Sequence, residues 1–143
     1  MATLNVTISE DLVLNGQTIV SKNSASYTVT SIDHRIIKCT TTEQTVLLFN
    51  SADAAGTVKD ATLKYLRFTN LDSTNFVIVR VKGNNEEYFV KVPAGASFVL
   101  SDGQMDANAT GGETVSLANI DEISIDADTA TCDVEMYAAS DPS

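Results

Sequence analysis

Apolar positions recur with a period of two along most of the chain, and the clearest run is Ala61 to Ser101. Tyr65-Leu66-Arg67-Phe68-Thr69 sets Leu66 and Phe68 on one side and Tyr65, Arg67 and Thr69 on the other, as a half-buried strand does. Phe76 to Lys82 places Val77, Val79 and Val81 on one face and Phe76, Ile78, Arg80 and Lys82 on the other. Between these runs, Asn70 to Asn75 is rich in residues whose side chains bond to their own backbone in turns. Gly83-Asn84-Asn85 signals a hairpin ahead of Tyr88 to Val92. Pro93-Ala94-Gly95 then reads as a turn with proline at its second position and glycine at its third, ahead of Ser97 to Leu100. The stretch predicts four consecutive strands.

The same grammar covers the flanks. Thr3 to Ile8 alternates, Ser9-Glu10-Asp11 reads as a short turn, and Leu12 to Leu14 meets the hairpin dipeptide Asn15-Gly16 before Gln17 to Val20 returns. Ser21 to Ser26 reads as a polar loop and Tyr27 to Ile32 as a strand. Asp33-His34 reads as a corner, followed by strands over Arg35 to Thr41 and Glu43 to Phe49. Asn50 to Asp60 and Met105 to Glu113 are expected to be loops, with Thr114 to Ala118 a helical turn or short strand. Ile120 to Ile125 alternates imperfectly. Thr131 to Ala138 reads as the last strand, with Cys132, Val134 and Met136 inward, and residues 139–143 as a frayed tail. No long run has helical spacing and no period repeats. The expected fold is all-β: one antiparallel β-sandwich domain over residues 1–143, jelly-roll-like in topology.

Charge adds an asymmetry. The chain has 143 residues and a net charge of −10. Residues 1–100 hold nine basic and nine acidic side chains, and residues 101–143 hold ten acids and no base. That acidic third is expected to include a face turned toward solvent, and it would repel a phosphate surface, which argues against nucleic acid as a partner. No run approaches the ~20 apolar residues of a membrane helix, and the N-terminal stretch does not read as a secretory signal. Cys39 and Cys132 fall in separate predicted strands and are expected to be reduced, buried thiols. The sequons at Asn5 and Asn108 carry no weight without export.

Candidate chemistry is sparse. The single histidine, His34, has an acid beside it but no evident nucleophile, and His34, Cys39 and Cys132 lack the close spacing of a zinc site. Asp121, Asp126 and Asp128 are weak Ca²⁺ candidates in an acidic cluster with Glu122, but the EF-hand order is missing. Glu86 and Glu87 are adjacent on a strand and point apart, so they cannot flank one glycosidic bond. Gly111-Gly112 lacks the lysine of a phosphate loop. Tyr65, Tyr88 and Phe89 could form a sugar-stacking platform, but aromatic residues of alternating strands more often pack in cores or interfaces. No catalytic residue and no cofactor are expected.

The order LRFTNLDSTNFVIVRV, a polar hairpin, then YFVKVPAGASFVLSDG resembles the small all-β virion proteins of tailed bacteriophages, particularly marine and cyanobacterial phages. Arg67, Thr69, Asn70, Asp72 and Asn75 match the strand exit, and Pro93, Ala94, Gly95 and Leu100 match the turn. The opening MATLNVTISEDLVLNG and the closing TCDVEMYAAS are similar too. These motifs are turn grammar and not catalytic signatures. The resemblance implies a non-enzymatic virion structural protein, assembled in a host bacterial cytoplasm. The favoured role is a capsid decoration or cement protein on the major capsid protein shell, as a trimer or dimer. A tail, neck or fibre component is the first alternative, and a carbohydrate-binding β-sandwich module outside any virion is the second. The expected interface residues are Phe76, Ile78, Arg67, Arg80, Lys82 and Lys91, the cations being free to meet an acidic shell.

Overall fold

The computed structural model describes residues 1–50, 54–59, 62–83, 86–101 and 120–142. Among them there is no helix, and eleven strands account for nearly all of the regular structure. The first two, β1 (Ala2–Leu14) and β2 (Gln17–Val29), form a hairpin of their own. The remainder are β3 (Ser31–Cys39), β4 (Gln44–Asn50), β5 (Thr57–Lys59), β6 (Leu63–Asn70), β7 (Val77–Gly83), β8 (Glu87–Val92), β9 (Ser97–Ser101), β10 (Ile120–Ala127) and β11 (Cys132–Ser140).

These strands build two sheets, ordered β3-β11-β6-β9 and β5-β4-β10-β7-β8. Setting aside the three-residue β5, which joins β4 in parallel, all pairings are antiparallel. With β5 set aside, each sheet places a strand from the end of the chain between an early and a middle one, β11 between β3 and β6 and β10 between β4 and β7. This is the double Greek key of a jelly-roll sandwich, as expected from the turn grammar. The four strands of the central stretch divide between the sheets: β6 and β9 pair in one, β7 and β8 in the other.

The inward faces meet in one core. Leu66, Phe68, Val134 and Met136 of the first sheet pack over Leu47, Val79, Ile123 and Ile125 of the second, all essentially inaccessible to water. Each such side chain contributes about 1.5–3 kcal/mol on burial, so this core holds the sandwich without a crosslink. Cys39 and Cys132 are both buried and free, and they stand directly opposite each other across β3 and β11. Burial pushes the Cys39 thiol up to about 12, with the facing Cys132 adding to the shift.

The motif residues of the central stretch hold the crossover between the sheets. Asn70 is fully buried. Its amide donates to the carbonyls of Asn75 and Val92, and its side-chain oxygen accepts from the Asp72 amide. Asp72 in turn accepts from the backbone of Thr74 and Asn75, which holds its carboxyl below the usual range. The Pro93 turn closes by Ala96 N–H to Pro93 O, so proline is its first residue, not its second, and Gly95 at the third has φ +71°. Gly95 also donates to the Asn70 carbonyl, which locks the two turns together.

Four local expectations give way. Ser9-Glu10-Asp11 and Ser21 to Ser26 do not turn or loop; they lie inside β1 and β2, because each is paired in register with the other strand. Asp33-His34 is no corner but part of β3, where Asp33 accepts from the Gly56 amide and the Arg35 guanidinium donates to the Val46 carbonyl. The tail is not frayed at its start. Ala139 and Ser140 are buried in β11, the Asp141 amide donates to Thr62, and Lys59 donates to the Pro142 carbonyl. The expected loop over Met105 to Glu113 and the element over Thr114 to Ala118 lie outside the described residues.

Candidate functional site: the projecting hairpin and its seat

The β1–β2 hairpin is in register over its whole length, from Ala2 opposite Val29 to Leu14 opposite Gln17. Asn15 (φ +51°) and Gly16 (φ +79°) close it in a two-residue turn of the kind that matches strand twist. Strands of this length span about 40 Å at ~3.4 Å per residue. Among the described residues, only those of the base pack on the body. Leu4, Val6, Ala25, Tyr27 and Val29 pack on Tyr65, Tyr137 and Ala139, on the outer face of the β3-β11-β6-β9 sheet, as a second small core. From Thr7 to Ser24 every residue is exposed.

Register fixes which side chains share a face. One face carries Leu4, Val6, Ile8, Glu10, Leu12 and Leu14, opposite Tyr27, Ala25, Asn23, Ser21, Ile19 and Gln17. Beyond the body this face carries Ile8, then the polar Asn23, Glu10 and Ser21, and becomes apolar again at the tip with Leu12, Ile19 and Leu14. The other face is polar near the base, where Thr7 meets Ser24 and Ser26 donates to Asn5. Nearer the tip it carries Val13 and Val20, 67% and 63% exposed, opposite Thr18 and Asp11.

Beside the seat lies an open cleft of about 350 Å³, lined by Leu4 to Thr7 and by Tyr65, Arg67 and Tyr137. Arg67 bonds Thr69 and pairs with Glu135, and His34 Nε2 lies 2.8 Å from the same carboxylate while its ring packs on Tyr137. Arg67 and then His34 hold Glu135 below the ordinary carboxylate range. The arginine charge is matched, so this cleft offers no unpaired charge to an anion.

The sequence-predicted interface residues do not share one surface. Arg67 lies on the outer face of the first sheet, whereas Ile78, Arg80, Lys82 and Lys91 lie on the outer face of the second, with Phe76 just ahead of β7. The cations there are engaged. Arg80 is held between Glu43 and Glu87, Lys82 Nζ lies 3.5 Å from Glu122, and Lys91 Nζ sits 3.9 Å over the Phe76 ring. They are not free, because cross-strand register puts an acid or an aromatic beside each one.

The acidic third is likewise not one face. β10 and β11 enter opposite sheets, so their acids spread over both outer surfaces, where Lys82, Lys38, Arg67 and His34 meet Glu122, Asp133 and Glu135. Asp102, Asp106 and Glu113 lie outside the described residues. Among the described residues no three His, Cys, Asp or Glu side chains come together to hold a metal ion. Asp121 and Asp126 are about 17 Å apart along β10, and Asp128 follows in a bend. Partial burial and the Glu43 charge raise the Asp126 pKa. Nor do the aromatic candidates form a platform. Tyr65 is buried under the hairpin on one sheet, and Tyr88 and Phe89 point to opposite faces of the other.

The hairpin turn read from Asn15-Gly16, with Leu12 to Leu14 before it and Gln17 to Val20 returning, is where the structure places it. What the pattern does not give is that the tip stands clear of the described body, since alternation fixes faces and not what covers them. Comparison with protein-family models, with curated proteins and with solved structures gives no match.

Proposed function

We propose that the protein is a non-enzymatic structural component that works by association, and that its setting is a bacteriophage virion, as a decoration or cement protein on the capsid shell. One observation carries the association reading: the far half of the hairpin presents Ile8, Leu12, Val13, Leu14, Ile19 and Val20 to water, each 41–67% exposed. Leu12, Leu14 and Ile19 adjoin one another on one face of the tip and Val13 and Val20 on the other, and exposed apolar side chains gathered in one place mark an interaction site. The sandwich completes its own core without those residues, so they are not there for its stability. The virion setting rests on the resemblance of the central stretch and both ends to phage virion proteins. The jelly-roll topology is compatible with it, since capsid proteins are among the users of that fold.

Attachment to a lattice suits such a protein, because many modest contacts tied to one shell add as avidity. The test is protein quantification in purified particles, followed by heat or osmotic challenge of particles with and without the protein. A copy number near that of the major capsid protein and a loss of stability without it support decoration. A few copies per particle place it in the tail or neck instead, and absence from particles overturns the virion setting.

A further inference from the structure

Away from the hairpin, two nucleophilic side chains meet inside the sandwich. Cys39 ends β3 and Cys132 begins β11, and they are register partners in an antiparallel ladder. Directly opposite residues leave the same face of a sheet, and both of these point into the core, 0% and 1% exposed. Asp133 turns its backbone toward β6, where its carbonyl accepts from the Leu71 amide, so Cys132 beside it turns its backbone toward β3. A pair that exchanges backbone bonds in this way has its Cα atoms about 5.5 Å apart, inside the span of roughly 4.4–6.8 Å that a disulfide bridges. Its Cβ atoms stand about 4.5–5.5 Å apart, and a disulfide draws them to about 4 Å. The pair lies where both strands end, next to the bend over 128–130, so the ladder can close by that amount. Each thiol now donates to a neighbouring carbonyl, Cys132 to Ala130 at 3.4 Å and Cys39 to Thr40 at 3.8 Å. Thiols are weak donors, so little is lost when the two sulfurs turn toward each other.

Burial decides when they can react. The attacking species in disulfide exchange is the thiolate. In the folded core both sulfurs are closed off from water, and burial pushes the Cys39 thiol up to about 12. The unfolded chain exposes both at their ordinary values. We infer that Cys39 and Cys132 are a redox-set staple: folding under reducing conditions buries two thiols, and folding beside a small-molecule disulfide joins them across β3 and β11. With oxidised glutathione, one cysteine thiolate attacks its disulfide, giving a mixed disulfide and one glutathione thiolate. The other cysteine thiolate then attacks the protein sulfur and releases the second. The protein loses two protons and two electrons, and one oxidised glutathione becomes two reduced ones. The closed loop holds every strand from β4 to β10, so the bond restricts the unfolded chain over most of the sandwich.

The reduced full chain, unfolded in urea and diluted into oxidised or into reduced glutathione, tests this independently of the virion setting. From oxidised glutathione the chain is expected to be lighter by two hydrogens and to resist alkylation under denaturing conditions until a reductant is added. It should melt about 5–10 °C above the dithiol, whereas Cys39→Ala/Cys132→Ala should melt alike from either medium. Folded dithiol held in oxidised glutathione should lose its thiols far more slowly than the refolding chain. A refolded chain that keeps both thiols, carries glutathione on either cysteine or is crosslinked between copies overturns the inference. So does a folded dithiol that oxidises as fast as the refolding chain, or a disulfide form that melts no higher than the dithiol.

Discussion

Asn70 shows how one side chain can tie two sheets together. It is fully buried, and its amide and carbonyl meet three backbone groups at the point where β6 hands the chain to β7. Removing it strands those groups away from water. Asn70→Ala is therefore expected to lower unfolding stability by about 2–3 kcal/mol, read from urea denaturation, with the fold otherwise intact. Glu135 makes a second, pH-dependent prediction. Its folded pKa is depressed below the unfolded value near 4.5 by Arg67 and His34. The stability it contributes is full above that value and is lost as pH falls through the lower folded one. Half-exposed His34 admits solvent screening, so the contribution is about 1 kcal/mol or less. Glu135→Gln should be slightly less stable than wild type at pH 7, and the gap should close as both are titrated toward pH 3. Part of this was legible beforehand. The spacing of Asn70, Asp72 and Asn75 announced a turn, because those side chains bond locally. The partners of Arg67 and Arg80 were not, because alternation gives the face of a strand and not the neighbouring strand that fills it.

At the scale of elements, the hairpin is separable from the sandwich. Its base belongs to the small core with Tyr65, Tyr137 and Ala139, and its far half packs on no other described element. Deleting Ser9–Leu14 together with Gln17–Lys22 brings Asn15-Gly16 to close on the Ile8–Asn23 pair. Six residues from each strand is an even number, so the closing pair keeps its hydrogen-bonding type and its faces. The shortened chain is expected to melt within about 2 °C of wild type, since no contact with the described body is lost, and to lose the association that the tip is proposed to make. A large drop in melting temperature would mean the far half supports the body. Sequence reading broke this element into pieces, because Ser9 to Asp11 and Ser21 to Ser26 are polar on both faces. Polar residues there suit a ribbon wetted on both sides as well as they suit a turn. Only pairing across thirteen residues of each strand decides between the two.

For the whole molecule, the central stretch predicted the architecture well. Its strands of five to eight residues separated by turn-forming residues leave few options besides a sandwich, and the order of the strands is that of a jelly roll. Surface organisation was less accessible. Charge summed along the chain suggested an acidic pole, but the jelly roll sends β10 and β11 to opposite sheets and interleaves their acids with the bases of β3, β6 and β7. The outer faces of the sandwich are consequently knit by ion pairs, with exposed apolar side chains such as Ile36, Leu48 and Phe89 spread over them, whereas Leu12, Leu14 and Ile19 adjoin one another at the hairpin tip. The account's central claim is that the protein functions through that surface. The direct measurement is its copy number on purified particles assembled with either the wild-type or the hairpin-shortened chain. The account predicts that wild type is retained through washing while the shortened, folded chain is lost, because the exposed apolar side chains proposed to attach it are gone. Retention of the shortened chain at the full wild-type copy number would contradict it.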